Sequence, residues 1–134
     1  MLCREHAAQL RDAIDDIRER GAGCVAIGTG GPDAARDFVE RERIPYPVLA
    51  DDAGAAAKAA SIERAGPLKL FHPASWSGTR RAWRAGHRIG VSGRRVDQLG
   101  ATFVVGPGDR VRYSHRDAHT ADHAPLDEVL AALD

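Results

Sequence analysis

Two cysteines carry the strongest chemistry among the 134 residues, and they stand in different contexts. Cys3 lies at the first turn of a predicted helix beside Arg4, where the helix dipole and the cation favour a reactive thiolate. Cys3 also falls on the apolar stripe of that helix, where a cysteine packs as a small hydrophobic residue. Cys24 begins an apolar run typical of a buried strand, and we interpret it as a packing residue. The sequence therefore leaves both a redox role and a packing role open for Cys3.

Three histidines near the C-terminus are spaced by four residues and have two aspartates among them. On a continuous helix, His115, His119 and His123 would line one face and could bind zinc. His115 ends a predicted strand, however, so helical spacing does not hold there. We therefore interpret this segment as a polar loop in which Asp122 and His123 cap or orient the chain.

A basic stretch from Arg64 to Val96 contains no acidic residue. Arginines interleaved with Trp76 and Trp83 can bind an anionic ligand, a nucleic acid or a membrane surface. The alternative is a solvated insertion whose arginines pair with acids on other elements. Because the formal net charge of the chain is zero, we expect neither a nucleic acid nor a membrane as a partner.

The elements that must position these residues predict a single α/β domain. An amphipathic helix over residues 3–20 precedes a buried strand in "CVAIGTG" and a second helix in "GPDAARDFVERER". An extended stretch from Pro47 to Ala50 and an alanine-rich helix follow. The pattern weakens at about residues 66–96, which we predict to be an Arg/Trp-rich insertion. The turn "GPGD" then joins a β-hairpin, Ala101 to Val105 and Arg110 to His115, before the closing helix "APLDEVLAALD".

Three segments carry a resemblance to a known family. The segments "YPVLADDAGAAAKAASI" and "QLGATFVVGPGDRVRYSHRDAHTADHAPLDEVLAAL" resemble peroxiredoxin-like proteins of the alkyl hydroperoxide reductase C / thiol-specific antioxidant (AhpC/TSA) group. The segment "CREHAAQL" is similar to the end of that family's redox motif. The resemblance implies a thioredoxin-like three-layer fold with a C-terminal β-hairpin and helix. It also implies that the first central strand, which in the family runs into the redox motif, is missing before Met1.

The same resemblance assigns a role to Cys3. In the family's Cys-x-x-Cys motif, Met1 and Leu2 match the two middle residues, so Cys3 matches the second, resolving or partner cysteine. The first cysteine would then lie upstream of Met1, and we expect the chain to be N-terminally truncated relative to its family. Thr102 is expected to lend a hydroxyl or a backbone contact near the cysteine.

Two positions depart from the family pattern before the hairpin. Many peroxiredoxins carry an arginine that stabilises the thiolate and the peroxide, and the matching position here is Gly100. Thioredoxins place a cis-proline next to the active site, and the matching position is Ala101. A standard peroxidase site is therefore incomplete in this sequence.

The resemblance implies a thiol-dependent antioxidant oxidoreductase that reduces peroxides or disulfides through a cysteine thiolate. Such an enzyme needs an external thiol reductant and no metal or organic cofactor. We see no signal peptide, so we expect a cytoplasmic protein. One alternative is a non-catalytic thioredoxin-like module that binds a partner or an anionic ligand through the basic insertion. Another is an inactive fragment that forms a homodimer through its exposed sheet edges.

Overall fold

The computed structural model describes residues 2–62, 98–119 and 122–134, with side chains from Arg4 onward. The predicted insertion at about 66–96 lies outside these residues. No helix in the described ranges is long and apolar enough to cross a membrane. The described helices and strands are α1 (Leu2–Asp12), α2 (Ile14–Glu19), β1 (Ala26–Gly28), α3 (Pro32–Glu42), β2 (Val48–Ala50), α4 (Ala55–Ala59), β3 (Ala101–Gly106), β4 (Arg110–Arg116) and α5 (Leu126–Ala131).

The single helix predicted over residues 3–20 is divided into α1 and α2 at Ala13. The division is slight, because the Ile17 amide still donates a hydrogen bond to the Ala13 carbonyl at 3.0 Å. Gly21 ends the helical segment with a φ of 74°, a left-handed conformation that glycine adopts without steric cost. The predicted apolar stripe is confirmed over the described side chains, since its inward positions are buried: Ala7, Ile14 and Ile17.

Strands β1 and β2 form a parallel pair whose inner face packs on α1 and α3. Ala26 lies opposite Val48, and both side chains pack against one apolar cluster. The Tyr46 hydroxyl donates a hydrogen bond to the Ala7 carbonyl at 2.9 Å, which ties α1 to the chain before β2. The buried members of this cluster are Ala7, Ile14, Ile44 and Tyr46.

The prediction of a buried strand at "CVAIGTG" is wrong in length and in burial. The strand covers only Ala26–Gly28, and Cys24 precedes it as a half-buried residue at the edge of the cluster. The outer face carries Val25, Ile27 and Leu49, whose exposed fractions are 54%, 53% and 53%. The crossover helix α3 covers one face of the parallel pair, and the alternation of side chains along each strand leaves the other face exposed.

The predicted hairpin is confirmed, and it contains a bulge that the sequence did not indicate. Val104 pairs with Tyr113 but Val105 pairs with Val111, so Arg112 is the extra residue of β4. Val111, just before the bulge, is 60% exposed, whereas Tyr113 packs with Val104 against α5. The Arg112 guanidinium instead reaches the C-terminal helix end, where it donates to the carbonyls of Ala132 and Leu133.

Helix α1 connects two separate two-stranded sheets. Among the described strands, β1 pairs only with β2 and β3 pairs only with β4. Leu10 of α1 packs against both apolar clusters, the one on the β1–β2 pair and the one between the hairpin and α5. No described strand joins β1 to β3. Among the described elements, α1 therefore contacts both sheets.

Candidate functional site

The two predicted site residues lie on elements that meet. Cys3 is the second residue of α1, and its side chain is outside the description. Thr102 is the second residue of β3, and its Oγ1 lies 3.2 Å from Nε2 of His6, one helical turn after Cys3. The contact joins the start of β3 to the first turns of α1. The role predicted for Thr102 beside a cysteine remains a prediction.

The arginine next to Cys3 is engaged with α3. Arg4 Nη1 lies 3.1 Å from Glu42 Oε1, and the guanidinium stands 5.7 Å from the ring centre of Phe38. The side chains of Arg4 and Glu42 are only 12% and 10% exposed. The Glu42 carboxylate offsets the positive charge of Arg4, which the sequence analysis expected to favour the Cys3 thiolate. The ion pair instead joins α1 to α3.

Beyond Thr102, the site continues into a group of titratable side chains that we name the histidine–aspartate cluster: His6, His115, Asp117, Asp122 and His123. The rings of His6 and His123 are stacked, with centres 5.3 Å apart and planes 18° from parallel. His123 Nδ1 lies 3.3 Å from Asp117 Oδ2. His115 Nε2 lies 3.2 Å from Asp122 Oδ1 and 3.8 Å from Asp117 Oδ1. Asp117 thus faces two histidines at once.

Asp117 is held in place by Gly100. The Asp117 amide donates a hydrogen bond to the Gly100 carbonyl at 3.0 Å, and the Asp117 residue is buried. A Cβ at position 100 would collide with the Asp117 carboxylate. The glycine at the position matching the family's arginine therefore makes room for a buried carboxylate. The contact could not be predicted from the sequence, because 16 residues and a bulged hairpin separate Gly100 from Asp117.

The surroundings shift the pKa values of two cluster members. Burial and the nearby His123 lower the pKa of His6, outweighing Gln9 and Asp117, which raise it. Burial raises the pKa of Asp122. The hydrogen bond from the Ala118 amide and the nearby His115 ring lower it by more, so the net shift is downward. The downward shift of the His6 pKa favours the neutral form of its ring.

The loop role predicted for Asp122 is confirmed. Its Oδ2 accepts a hydrogen bond from the Ala118 amide at 2.7 Å, and its own amide donates to the His119 carbonyl at 3.0 Å. Within the described ranges, no group of three or more His, Cys, Asp or Glu side chains is arranged to hold a metal ion. The loop held by Asp122 leads to His123, whose ring stacks on His6 of α1.

The second cysteine lies away from this cluster. Cys24 is a free thiol that packs against the apolar cluster of Ala7 and Tyr46. Burial raises its pKa, which lowers the fraction of nucleophilic thiolate at neutral pH. This environment agrees with the packing role predicted for Cys24.

Sequence comparisons relate the chain to redox proteins. Residues 9–119 match the family described as AhpC/TSA antioxidant enzyme. Thioredoxin-like protein AAED1, chloroplastic, from Arabidopsis thaliana is 30% identical over 141 residues, which cover 98% of this chain and 56% of the relative. Peroxiredoxin-like 2C from Homo sapiens is 42% identical over 33 residues, or 25% of this chain and 15% of the relative. The chain thus spans little more than half the length of the Arabidopsis protein.

Two solved structures share the fold. Peroxidoxin BcpB from Mycobacterium tuberculosis superimposes with a TM-score of 0.67 at 22% identity, over 98% of this chain and 69% of that one. A mutant of peroxiredoxin 6 from Arenicola marina gives a TM-score of 0.61 at 14% identity, over 98% and 53%. These similarities confirm the predicted thioredoxin-like α/β fold. Together with the family match over residues 9–119, they show that the chain is a peroxiredoxin-like member of the AhpC/TSA antioxidant enzyme family.

Proposed function

We propose that this protein is a thiol-dependent antioxidant oxidoreductase that reduces a peroxide or a disulfide through a cysteine thiolate. The observation that carries the proposal is the contact between His6 and Thr102. It joins an imidazole of α1, the helix that contains Cys3, to a hydroxyl of β3, and polar groups of these types can assist the chemistry of a nearby thiol. Membership of the AhpC/TSA family supports the reaction class.

The proposed reaction consumes one peroxide and two thiol hydrogens. A thiolate sulfur attacks a peroxide oxygen, an S–O bond forms, the O–O bond breaks, and the leaving oxygen takes a proton and departs as alcohol or water. A second thiol then displaces water from the sulfenic acid and forms a disulfide. An external thiol reductant restores both thiols by exchange.

Within this proposal, Cys3 is the second thiol, the resolving or partner cysteine of a Cys-x-x-Cys pair. The attacking cysteine would be the residue directly before Met1 in a longer protein. The substrates are a peroxide or a disulfide and an external thiol, and the chemistry needs no organic cofactor. A reducing compartment suits two cysteines that form no disulfide framework, so we propose the cytoplasm.

Peroxide turnover tests the proposal. Thiol-dependent consumption of hydrogen peroxide is measured for this chain and for a protein extended upstream in frame, each with Cys3→Ala and with Cys24→Ala as the matched control. We expect the extended protein to turn over, Cys3→Ala to lose most of that turnover, and Cys24→Ala to retain it.

Two results would contradict the proposal. Equal turnover in the extended protein and in its Cys3→Ala variant would show that Cys3 takes no part in the reaction. An absence of turnover in both chain lengths would favour a non-catalytic module, which binds a partner or an anionic ligand through the basic segment at about 66–96. Elution as a homodimer by the inactive chain would instead favour a fragment that pairs through its open sheet edges.

A further inference from the structure

Each of the two carboxylates in the histidine–aspartate cluster is paired with a histidine other than His6. Asp117 Oδ2 lies 3.3 Å from His123 Nδ1, and Asp122 Oδ1 lies 3.2 Å from His115 Nε2. His6 instead stacks on the ring of His123, with ring centres 5.3 Å apart. Among the described side chains, His6 is therefore the imidazole of the cluster that has no ion-paired carboxylate.

The stack is a contact between α1 and the loop that follows β4. His6 belongs to the helix and His123 to the loop. His6 Nδ1 and His123 Nε2 are buried, and neither has a well-aligned hydrogen-bond partner among the described side chains. A positive charge on His6 is poorly stabilised there, because burial removes water and the stack places a second imidazole against the ring.

The titratable groups that face His6 from other elements are His115 of β4, Asp117 directly after β4, and His123 of the loop. Burial is the largest influence on the pKa of His6 and lowers it. His123 and His115 also lower this pKa, whereas Gln9 of α1 and the Asp117 carboxylate raise it. The net shift is downward, so the packed arrangement favours the neutral ring.

We propose that the stacked pair of His6 and His123 is a proton-sensitive latch, which holds the loop after β4 against α1 and releases it when His6 binds a proton. The step is the uptake of one proton from solution, with a new N–H bond on the His6 ring and no other covalent change. The latch goes beyond the proposed function, since it requires neither Cys3 nor a peroxide.

The other two histidines of the cluster would change the loop in the opposite direction. His115 and His123 each face a carboxylate, so a proton on either ring strengthens an ion pair and holds the loop more firmly. A loop that loosens in mild acid therefore indicates His6. A loop that tightens in mild acid indicates His115 or His123.

Amide hydrogen exchange followed by NMR tests the latch. The Ala118 amide reports on the loop, because it donates a hydrogen bond to the Asp122 carboxylate at 2.7 Å. Its protection factor is measured at pH 7 and at pH 5, with correction for the intrinsic exchange rate at each pH. We expect protection to fall at pH 5 by at most about thirtyfold, the limit for a ring whose pKa is 6.5 when it is released.

Low concentrations of urea distinguish a local release from global unfolding. A local opening exposes little surface, so the exchange of the Ala118 amide should hardly respond to urea. Exchange at pH 5 that accelerates with urea as strongly as global unfolding does would overturn the latch.

Three variants identify the titrating ring. Each is described by the ratio of the Ala118 protection factor at pH 7 to that at pH 5, so that a general loosening of the loop cancels. His6→Gln should bring the ratio to about one, because the titrating ring is gone. His123→Gln should lower the ratio, because the unfavourable neighbour is removed. His119→Gln is the matched control in the same loop, and its ratio should stay within about twofold of the original.

Two further results would overturn the inference. One is protection at Ala118 that is unchanged or higher at pH 5 in the unaltered protein. The other is a fall that persists in His6→Gln, with far-UV circular dichroism as the measure of folding. Where His6→Gln does not fold, the ratio in His123→Gln decides, and a ratio equal to the original would count against the latch.

Discussion

Helix α1 has two sides that differ in chemistry although their residues alternate in sequence. On the side that faces β1 and β2, Ala7 packs against Ile44 and Tyr46 in an apolar cluster. On the side that faces the hairpin, His6 contacts Thr102 and stacks on His123. One helix thus connects an apolar contact with a polar, titratable one.

The two sides of α1 are expected to contribute differently to stability and to pH-dependent chemistry. Apolar burial stabilises in proportion to the area removed from water and does not depend on pH. Buried polar contacts contribute little net free energy, but they fix orientation and respond to protons. We therefore expect changes on the β1–β2 side to act on the free energy of unfolding, and changes on the hairpin side to act on the histidine–aspartate cluster.

Ile44→Ala is expected to have the largest effect. Ile44 is buried in the apolar cluster, and removing its side chain leaves a cavity that costs about 2–5 kcal/mol. Urea denaturation measures the loss, and the pKa of His6 should not change. Ile27→Ala is the control at a residue that is 53% exposed, with a loss below about 1 kcal/mol. Equal losses at the two positions would contradict the assignment of the cluster.

Gly100→Ala is expected to disturb the hairpin side. The new Cβ collides with the Asp117 carboxylate, and the strain costs about 1–3 kcal/mol. Because Asp117 must move, the His6 titration seen by NMR should move as well. Gly23→Ala is the control, since no atom lies within 4 Å of its added Cβ and its φ is ordinary. A His6 titration unchanged in Gly100→Ala would break the link between Gly100 and the cluster.

Tyr46→Phe removes one buried hydrogen bond on the apolar side. The hydroxyl donates to the Ala7 carbonyl at 2.9 Å, and burial raises the pKa of Tyr46 to about 12. We expect a loss of about 1 kcal/mol by thermal or urea denaturation. Tyr113→Phe, whose hydroxyl bonds to Glu128 at an exposed site, serves for comparison and should cost less. A larger loss of stability in Tyr113→Phe than in Tyr46→Phe would contradict the importance of the buried hydrogen bond from Tyr46 to Ala7.

The smallest expected effect is a dependence of stability on pH through His6. Its pKa is lowered in the folded protein, so the unfolded chain, with a pKa of about 6.5, binds the proton more readily. The stability that comes from a neutral, buried His6 is fully present above the pKa of the unfolded chain. It is lost as the pH falls through the lower pKa of His6 in the folded protein. His6→Gln should show a shallower loss of stability from pH 7 to pH 5, whereas Ile44→Ala should keep the original slope. Parallel curves for His6→Gln and the unchanged protein would refute this.

Local signals predicted much of the fold. The glycines and proline of "GPGD" fix the hairpin turn, in which Gly108 has a φ of 70°. Pro32 starts α3 and Gly21 follows α2, positions that these two residue types favour. The β1 strand was predicted too long, because an apolar run does not show which of its residues find a pairing partner.

The site could be predicted only in part. The family resemblance indicated Cys3 and Thr102, and the loop residues Asp122 and His123 were recognised from their types. His6 was missed, since it lies off the apolar stripe and its partner Thr102 is 96 residues away.

Capping residues, turn glycines and apolar periodicity act over a few residues, so the order of the described helices and strands could be predicted from the sequence. Longer segments of the sequence indicated the family. No local signal indicates that α1 is apolar on one side and titratable on the other. That outcome depends on the bulge in β4, the missing Cβ of Gly100 and the position of Asp117. These contacts join residues far apart in the chain, and their energies depend on burial that exists only after the elements have packed.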